Sequence, residues 1–241
     1  MGIGQYKTLP ISYVDAAELI LNINLNKDKL IDHPVLVGNA GGTFRAKDVE
    51  EWVFQDGFVG LMCWYCLNDN KDFFIAIEPC YKGIFEYDET DIKNKKPIQD
   101  TLLIPKRLIK ENLYEDEGLA GTLSRYKNGV SGKQKTATKD QVCKWVDNYM
   151  KATNCTIGIS PFSFFIGEDD KGKNYLKDFL NNKKPKNIRY FFSYAPDEEH
   201  KAFPLRVILA PVNLFGRNIN NSSGKAVVGD DVLQYSWPPK H

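Results

Sequence analysis

Several chemical signals are missing from this 241-residue chain. No apolar run approaches the ~18 residues that a membrane-spanning helix needs, so no membrane span is expected. Histidine is scarce: His33, His200 and the terminal His241 are the only three, and they are scattered. That leaves no histidine cluster for a metal or for acid–base work. Charge of one sign is not in excess, since 32 Lys and Arg stand against 31 Asp and Glu, so nucleic acid is not the expected partner. There is no Gly-Lys-Ser/Thr phosphate loop, no H-E-x-x-H and no G-x-S-x-G, so no cofactor or catalytic set is expected from motif. The N-terminus, MGIGQYKTLPIS, lacks an apolar core of secretory length and has Tyr6 where N-myristoylation wants Ser or Thr. Five cysteines at irregular spacing fit reduced thiols, and a cytoplasmic location is the expectation.

What is present is ordinary globular material arranged in a repeating order. Ser12-Tyr13-Val14-Asp15 opens a helix with Ala16, Leu19, Ile20 and Ile23 on one stripe; Thr138-Lys139-Asp140-Gln141 opens another with Val142, Trp145, Val146 and Tyr149 at the same offsets. Each starts with Ser or Thr and an acid or amide three residues on, the pattern of a capping box. A loop is expected after each helix, GNAGGTF in the first copy and SPFSFFIG in the second. A second, shorter helix follows, with Val49, Trp52 and Val53 in one copy and Leu176, Phe179 and Leu180 in the other. An aromatic strand (VGLMCWYCL; IRYFFSYA), a polar turn and a closing strand ending at Pro79 or Pro211 complete each copy.

The expected fold class is therefore α+β: two tandem related helix–loop–helix–hairpin units whose antiparallel sheet is covered by helices. The units occupy residues 1–80 and 134–212, as one pseudo-symmetric domain or two packed lobes, because a lone hairpin is marginal. Residues 81–133 read as a charged connecting segment with a short helix, beginning near Pro105. Residues 213–241 read as a polar tail ending in Trp237-Pro238-Pro239.

Cys63-Trp64-Tyr65-Cys66 is the most provocative stretch. Side chains alternate along a strand, so thiols three apart point to opposite faces. A redox C-x-x-C starts a helix instead, and a zinc site needs two further ligands that the chain does not offer. In the second copy the matching positions are read as Phe192 and Ala195. The motif reads as packing, with a thiol-based sensor as an alternative function.

Other candidates are weaker. Gly41, Gly42 and Thr43 precede a helix, where backbone amides can cradle an anion, with Arg45 and Lys47 as the nearby basic residues. Thr43 is alternatively an N-cap on a glycine-rich turn. Glu78 ends an apolar strand, and His33 has no visible nucleophile to serve as general base; both are candidates for a cleft between the units. The pairs Glu50-Glu51, Asp169-Asp170, Glu198-Glu199 and Asp230-Asp231 read as solvated surface. Tyr190 to Tyr194, with Arg189 and Arg206 nearby, has the aromatic content of a base-stacking sheet but not its glycine spacing.

The stretch SYVDAAELILN, then GGTFRAKDVEEWVFQDGFVGLMCWYCLND, then FFIAIEP resembles a poorly characterised family of small Bacteroidota proteins. The likeness lies in the capped helix, the G-G-x-F step into a second helix and the two strands. It covers residues 10–80, extends only loosely to the second copy, and implies a bacterial host with no activity or catalytic residues to carry over. The function expected is a non-enzymatic protein-binding, assembly or immunity-type protein, acting on itself or another chain. An enzyme of unrecognised class with a site between the units is the alternative.

Overall fold

The computed structural model describes residues 8–30, 33–36, 39–82, 96–127, 130–153, 160–168, 172–194, 205–219 and 232–234. Both long helices start where the capping signals lie. In α1 (Tyr13–Leu25) the Ser12 hydroxyl accepts from Asp15 N–H while the Asp15 carboxylate accepts from Ser12 N–H. In α4 (Lys139–Ala152) Thr138 and Gln141 make the same reciprocal pair. Such a box satisfies two backbone donors that a helix start would otherwise leave open. The apolar stripes then face inward, Ala16, Ile20 and Ile23 in one helix and Val142, Val146 and Tyr149 in the other.

The fold is α+β, with five α-helices and two antiparallel sheets among the described residues. No described helix is long and apolar enough to cross a membrane. One sheet contains β3 (Phe58–Leu67) and β4 (Phe73–Tyr81), flanked by β5 (Thr101–Ile104), β7 (Lys135–Thr138) and β8 (Phe162–Ile166), in the order β7-β5-β4-β3-β8. The other contains β9 (Asn187–Tyr194) and β10 (Leu205–Val212), flanked by β1 (Leu9–Ile11), β2 (Gly41–Arg45), β6 (Arg107–Ile109) and β11 (Val232–Gln234), in the order β1-β11-β10-β9-β2-β6. Short helices α2 (Ala46–Val53) and α5 (Tyr175–Lys183) carry the chain from one sheet to the other and touch each other.

The sheets face one another across an aromatic layer. Phe73 of β4 stacks on Phe192 of β9 with ring centroids 4.5 Å apart, and the Tyr190 hydroxyl accepts from Ile75 N–H at 3.4 Å. Because side chains alternate, Leu61, Cys63 and Tyr65 enter this inner core while Met62, Trp64 and Cys66 pack in a second cluster with Val142 and Val146 of α4. On the opposite flank α1 lies against β9 and against α3 (Leu119–Arg125). The result is helix, sheet, sheet, helix, in four layers.

Several expected loops are strands. GNAGGTF contains β2 and SPFSFFIG contains β8, each paired with a strand far away in sequence. The helix expected near Pro105 is instead β6, which adds to the free edge of β2; the short helix of the connecting segment comes later, as α3. The tail is not wholly outside the body, since β11 pairs with both β1 and β10. Trp237, His200, Ala195 and the acid pairs at 169–170, 198–199 and 230–231 lie outside the described residues.

Candidate functional site

Gly41, Gly42 and Thr43 are buried in β2, which has β9 on one edge and β6 on the other. Their backbone groups face neighbouring strands, so the expected anion cradle is not formed. Glycine is required at Gly41 for a different reason: a Cβ there would stand 2.0 Å from the Tyr190 carbonyl oxygen. Thr43 is not an N-cap either, because α2 is capped at Arg45 without a side-chain bond. The exposed Arg45 guanidinium is held by the Asp48 carboxylate, with Nε–Oδ2 at 2.7 Å.

The two cleft candidates are structural and belong to different neighbourhoods. His33 Nδ1 accepts from Val35 N–H at 3.1 Å, which places the ring proton on Nε2, 3.2 Å from the Tyr149 hydroxyl. Edge-on contacts with Phe73 and Tyr149 complete its apolar surroundings, and burial lowers its pKa to about 4. The imidazole is therefore neutral and fixes the turn after α1 to α4. Glu78, fully buried, accepts from Trp64 Nε1–H at 2.8 Å and from the backbone N–H groups of Ile98 (2.9 Å) and Gln99 (2.8 Å). Desolvation raises its pKa while these donors oppose the rise. The carboxylate clips the segment leading to β5 onto the sheet. His33, Glu78, Arg45 and the glycines share no hydrogen-bond partner among the described residues.

Cys63 and Cys66 point to opposite faces of β3 and join different clusters, both fully buried. Burial pushes both thiols well above their ordinary pKa, which suppresses the thiolate. The ladders pair Leu61 with Pro79 and Ile188 with Pro211, so on a count from the closing prolines the positions to compare with Cys63 and Cys66 are Tyr190 and Ser193. This shifts the expected match by two residues and keeps the same faces. The described residues contain no group of three or more His, Cys, Asp or Glu able to hold a metal. The aromatics of β9 are buried, so they offer no base-stacking surface.

A feature that belongs to none of the candidates above lies just after β10. Residues Asn213–Gly216 form a tight turn in which the Asn213 carboxamide oxygen accepts from Phe215 N–H (2.9 Å) and Arg217 N–H (3.0 Å). Gly216 takes φ +80°, a left-handed conformation that favours glycine. The turn is anchored from inside by Arg189, fully buried on the outer face of β9. One guanidinium nitrogen donates to the Gly216 carbonyl at 3.0 Å and another to the Asn218 side chain, and the Tyr126 ring lies 4.7 Å from Cζ. Burial lowers the Arg189 pKa to about 10, so the cation persists at neutral pH. Asn218 in turn donates to the Leu123 carbonyl of α3 at 2.7 Å. At the tip, Leu214 and Phe215 are 68% and 75% exposed. Singly scattered exposed apolar residues need no explanation; here two large ones stand side by side on a turn held by side-chain hydrogen bonds. An Asn-x-x-Gly frame around Leu-Phe, beginning two residues after Pro211, is the mark that this turn leaves in the sequence.

An open groove of about 450 Å³ lies between the β3–β4 turn and the end of α4, lined by Leu67, Asn68, Asp69, Lys71, Asn148, Lys151 and Ala152. It holds no nucleophile with a neighbouring base. The chain matches no family model, and no curated protein or solved structure shows significant similarity to it.

Proposed function

We propose that the chain is a non-enzymatic protein-binding protein and that Leu214 and Phe215 are the anchor by which it holds its partner. The observation carrying this is the exposed Leu-Phe pair on a turn fixed by Asn213, Gly216 and buried Arg189. Burying a Leu or Phe side chain contributes about 1.5–3 kcal/mol each. A turn already in its bound shape loses little entropy on association, so more of that gain survives as affinity. The partner presents an apolar pocket; the chemistry of the anchor calls for neither a charge nor a metal.

The test places a photo-crosslinking phenylalanine analogue at Phe215 of the full chain in its host cells. The expected result is one dominant protein adduct, lost when Leu214→Ser is added, with thermal unfolding unchanged by that substitution. The proposal fails if Phe215 gives no adduct, or only the diffuse pattern obtained with the same analogue at exposed Gln55.

A further inference from the structure

The order of strands in the two sheets carries a second conclusion. Extend each unit to the strand that follows its hairpin, β5 in the first and β11 in the second, and replace each strand by its place: the strand before the first helix, the strand before the second helix, the two hairpin strands and the strand that follows. The first sheet then reads β7-β5-β4-β3-β8 and the second β1-β11-β10-β9-β2, which is one and the same arrangement. Among the described residues the one addition is β6, on the outside of β2. In each sheet, however, the strands come from both units. β3, β4 and β5 are joined by β7 and β8 of the second unit, and β9, β10 and β11 by β1 and β2 of the first. The helices follow suit, with α1 lying on β9 and α4 on β3. Four antiparallel ladders cross between the units: β2–β9 and β3–β8, each five residue pairs long, and the shorter β5–β7 and β1–β11.

We infer that the chain is an internally two-fold molecule in which the two units have exchanged their leading segments, strand, capped helix and strand, with each other. The seam is therefore a recognition surface, and the partner it fits is a second unit of the same fold. Each unit lacks one edge strand, one covering helix and the strand beside its hairpin until the other supplies them. Exposed ladder edges and an uncovered apolar sheet face are costly, which makes either unit alone incomplete. The crossing points are α2 and α5, each leading from the exchanged strand to its own unit's hairpin and each in contact with the other. Such exchange of identical elements is a known low-cost route to association between chains; here it is closed within one.

The experiment uses the full chain with a protease site inserted between Asn128 and Gly129 and cut after folding. Exchange predicts that the nicked halves co-elute at the mass of the intact chain. It also predicts one unfolding transition whose midpoint falls by several degrees with each tenfold dilution, because unfolding and dissociation are then a single event. Halves that part under native conditions while keeping their structure would overturn the inference. So would a midpoint independent of concentration, which describes two self-contained lobes.

Discussion

Gly41→Ala is a one-carbon change whose effect follows directly from the β2–β9 seam. The added Cβ would lie 2.0 Å from the Tyr190 carbonyl oxygen, 3.0 Å from its carbonyl carbon and 3.1 Å from Phe191 Cα. All three are backbone atoms of the central strand, so no side chain can swing aside and the two strands must part. Overpacking of a filled interior costs about 1–3 kcal/mol, and one or two weakened ladder bonds add about 1 kcal/mol each. The total, roughly 2–5 kcal/mol, corresponds to a fall in Tm of roughly 5–15 °C for a chain of this size. Gly121→Ala is the control: in α3 the nearest atom is a flexible Arg125 nitrogen at 3.4 Å, and Ala for Gly within a helix gains about 0.5–1 kcal/mol. Thermal unfolding followed by circular dichroism reads both. A Gly41→Ala midpoint equal to that of the wild type would mean that β2 does not lie against β9, and the reasoning would be refuted.

Two further perturbations address the reassigned candidates. His33 titrates at about 4 when folded against 6.5 unfolded, so its contribution is complete above about pH 6.5 and is lost as pH falls toward 4. At about 1.4 kcal/mol per pH unit this amounts to about 3 kcal/mol. In urea unfolding, the stability difference between wild type and His33→Gln should shrink by that amount across the window; a difference flat with pH contradicts a buried neutral imidazole. Cys63 and Cys66 should resist alkylation in the native protein and label promptly in denaturant, as read by peptide mass spectrometry. Rapid native labelling of either would revive thiol chemistry at this motif.

The parts of the fold that could be read from sequence are those set by local physics. Capping boxes at Ser12 and Thr138, the stripes of α1 and α4, and the paired aromatic strands all depend on neighbours within a few residues. The opposite-face placement of Cys63 and Cys66 followed from strand periodicity alone. What could not be read depends on partners distant in the chain. Gly41-Gly42 has the composition of a turn, and only the approach of Tyr190 makes it a strand. Pro105 satisfies the rules for a helix start, yet Arg107–Ile109 is claimed by the open edge of β2. Val232–Gln234 is too short to announce itself and is held between β1 and β10. Likewise His33 and Glu78 drew attention as chemically unusual residues, but their hydrogen bonds to Tyr149, Trp64 and two backbone amides commit them to holding the structure.

The reciprocal seams can be measured directly by interstrand proton contacts in solution. Phe192 N–H bonds to Ala40 O, while Gly167 N–H and Tyr65 N–H bond to Val59 O and Pro161 O. These bonds put Thr43 opposite Arg189, and Met62 opposite Phe164, at non-hydrogen-bonded positions, where Cα atoms approach to about 4.5 Å. Strong Hα–Hα contacts are expected for both pairs in the same sample. Contacts from Thr43 to β3 instead, with none to Arg189, would place β2 within its own unit and contradict the exchange.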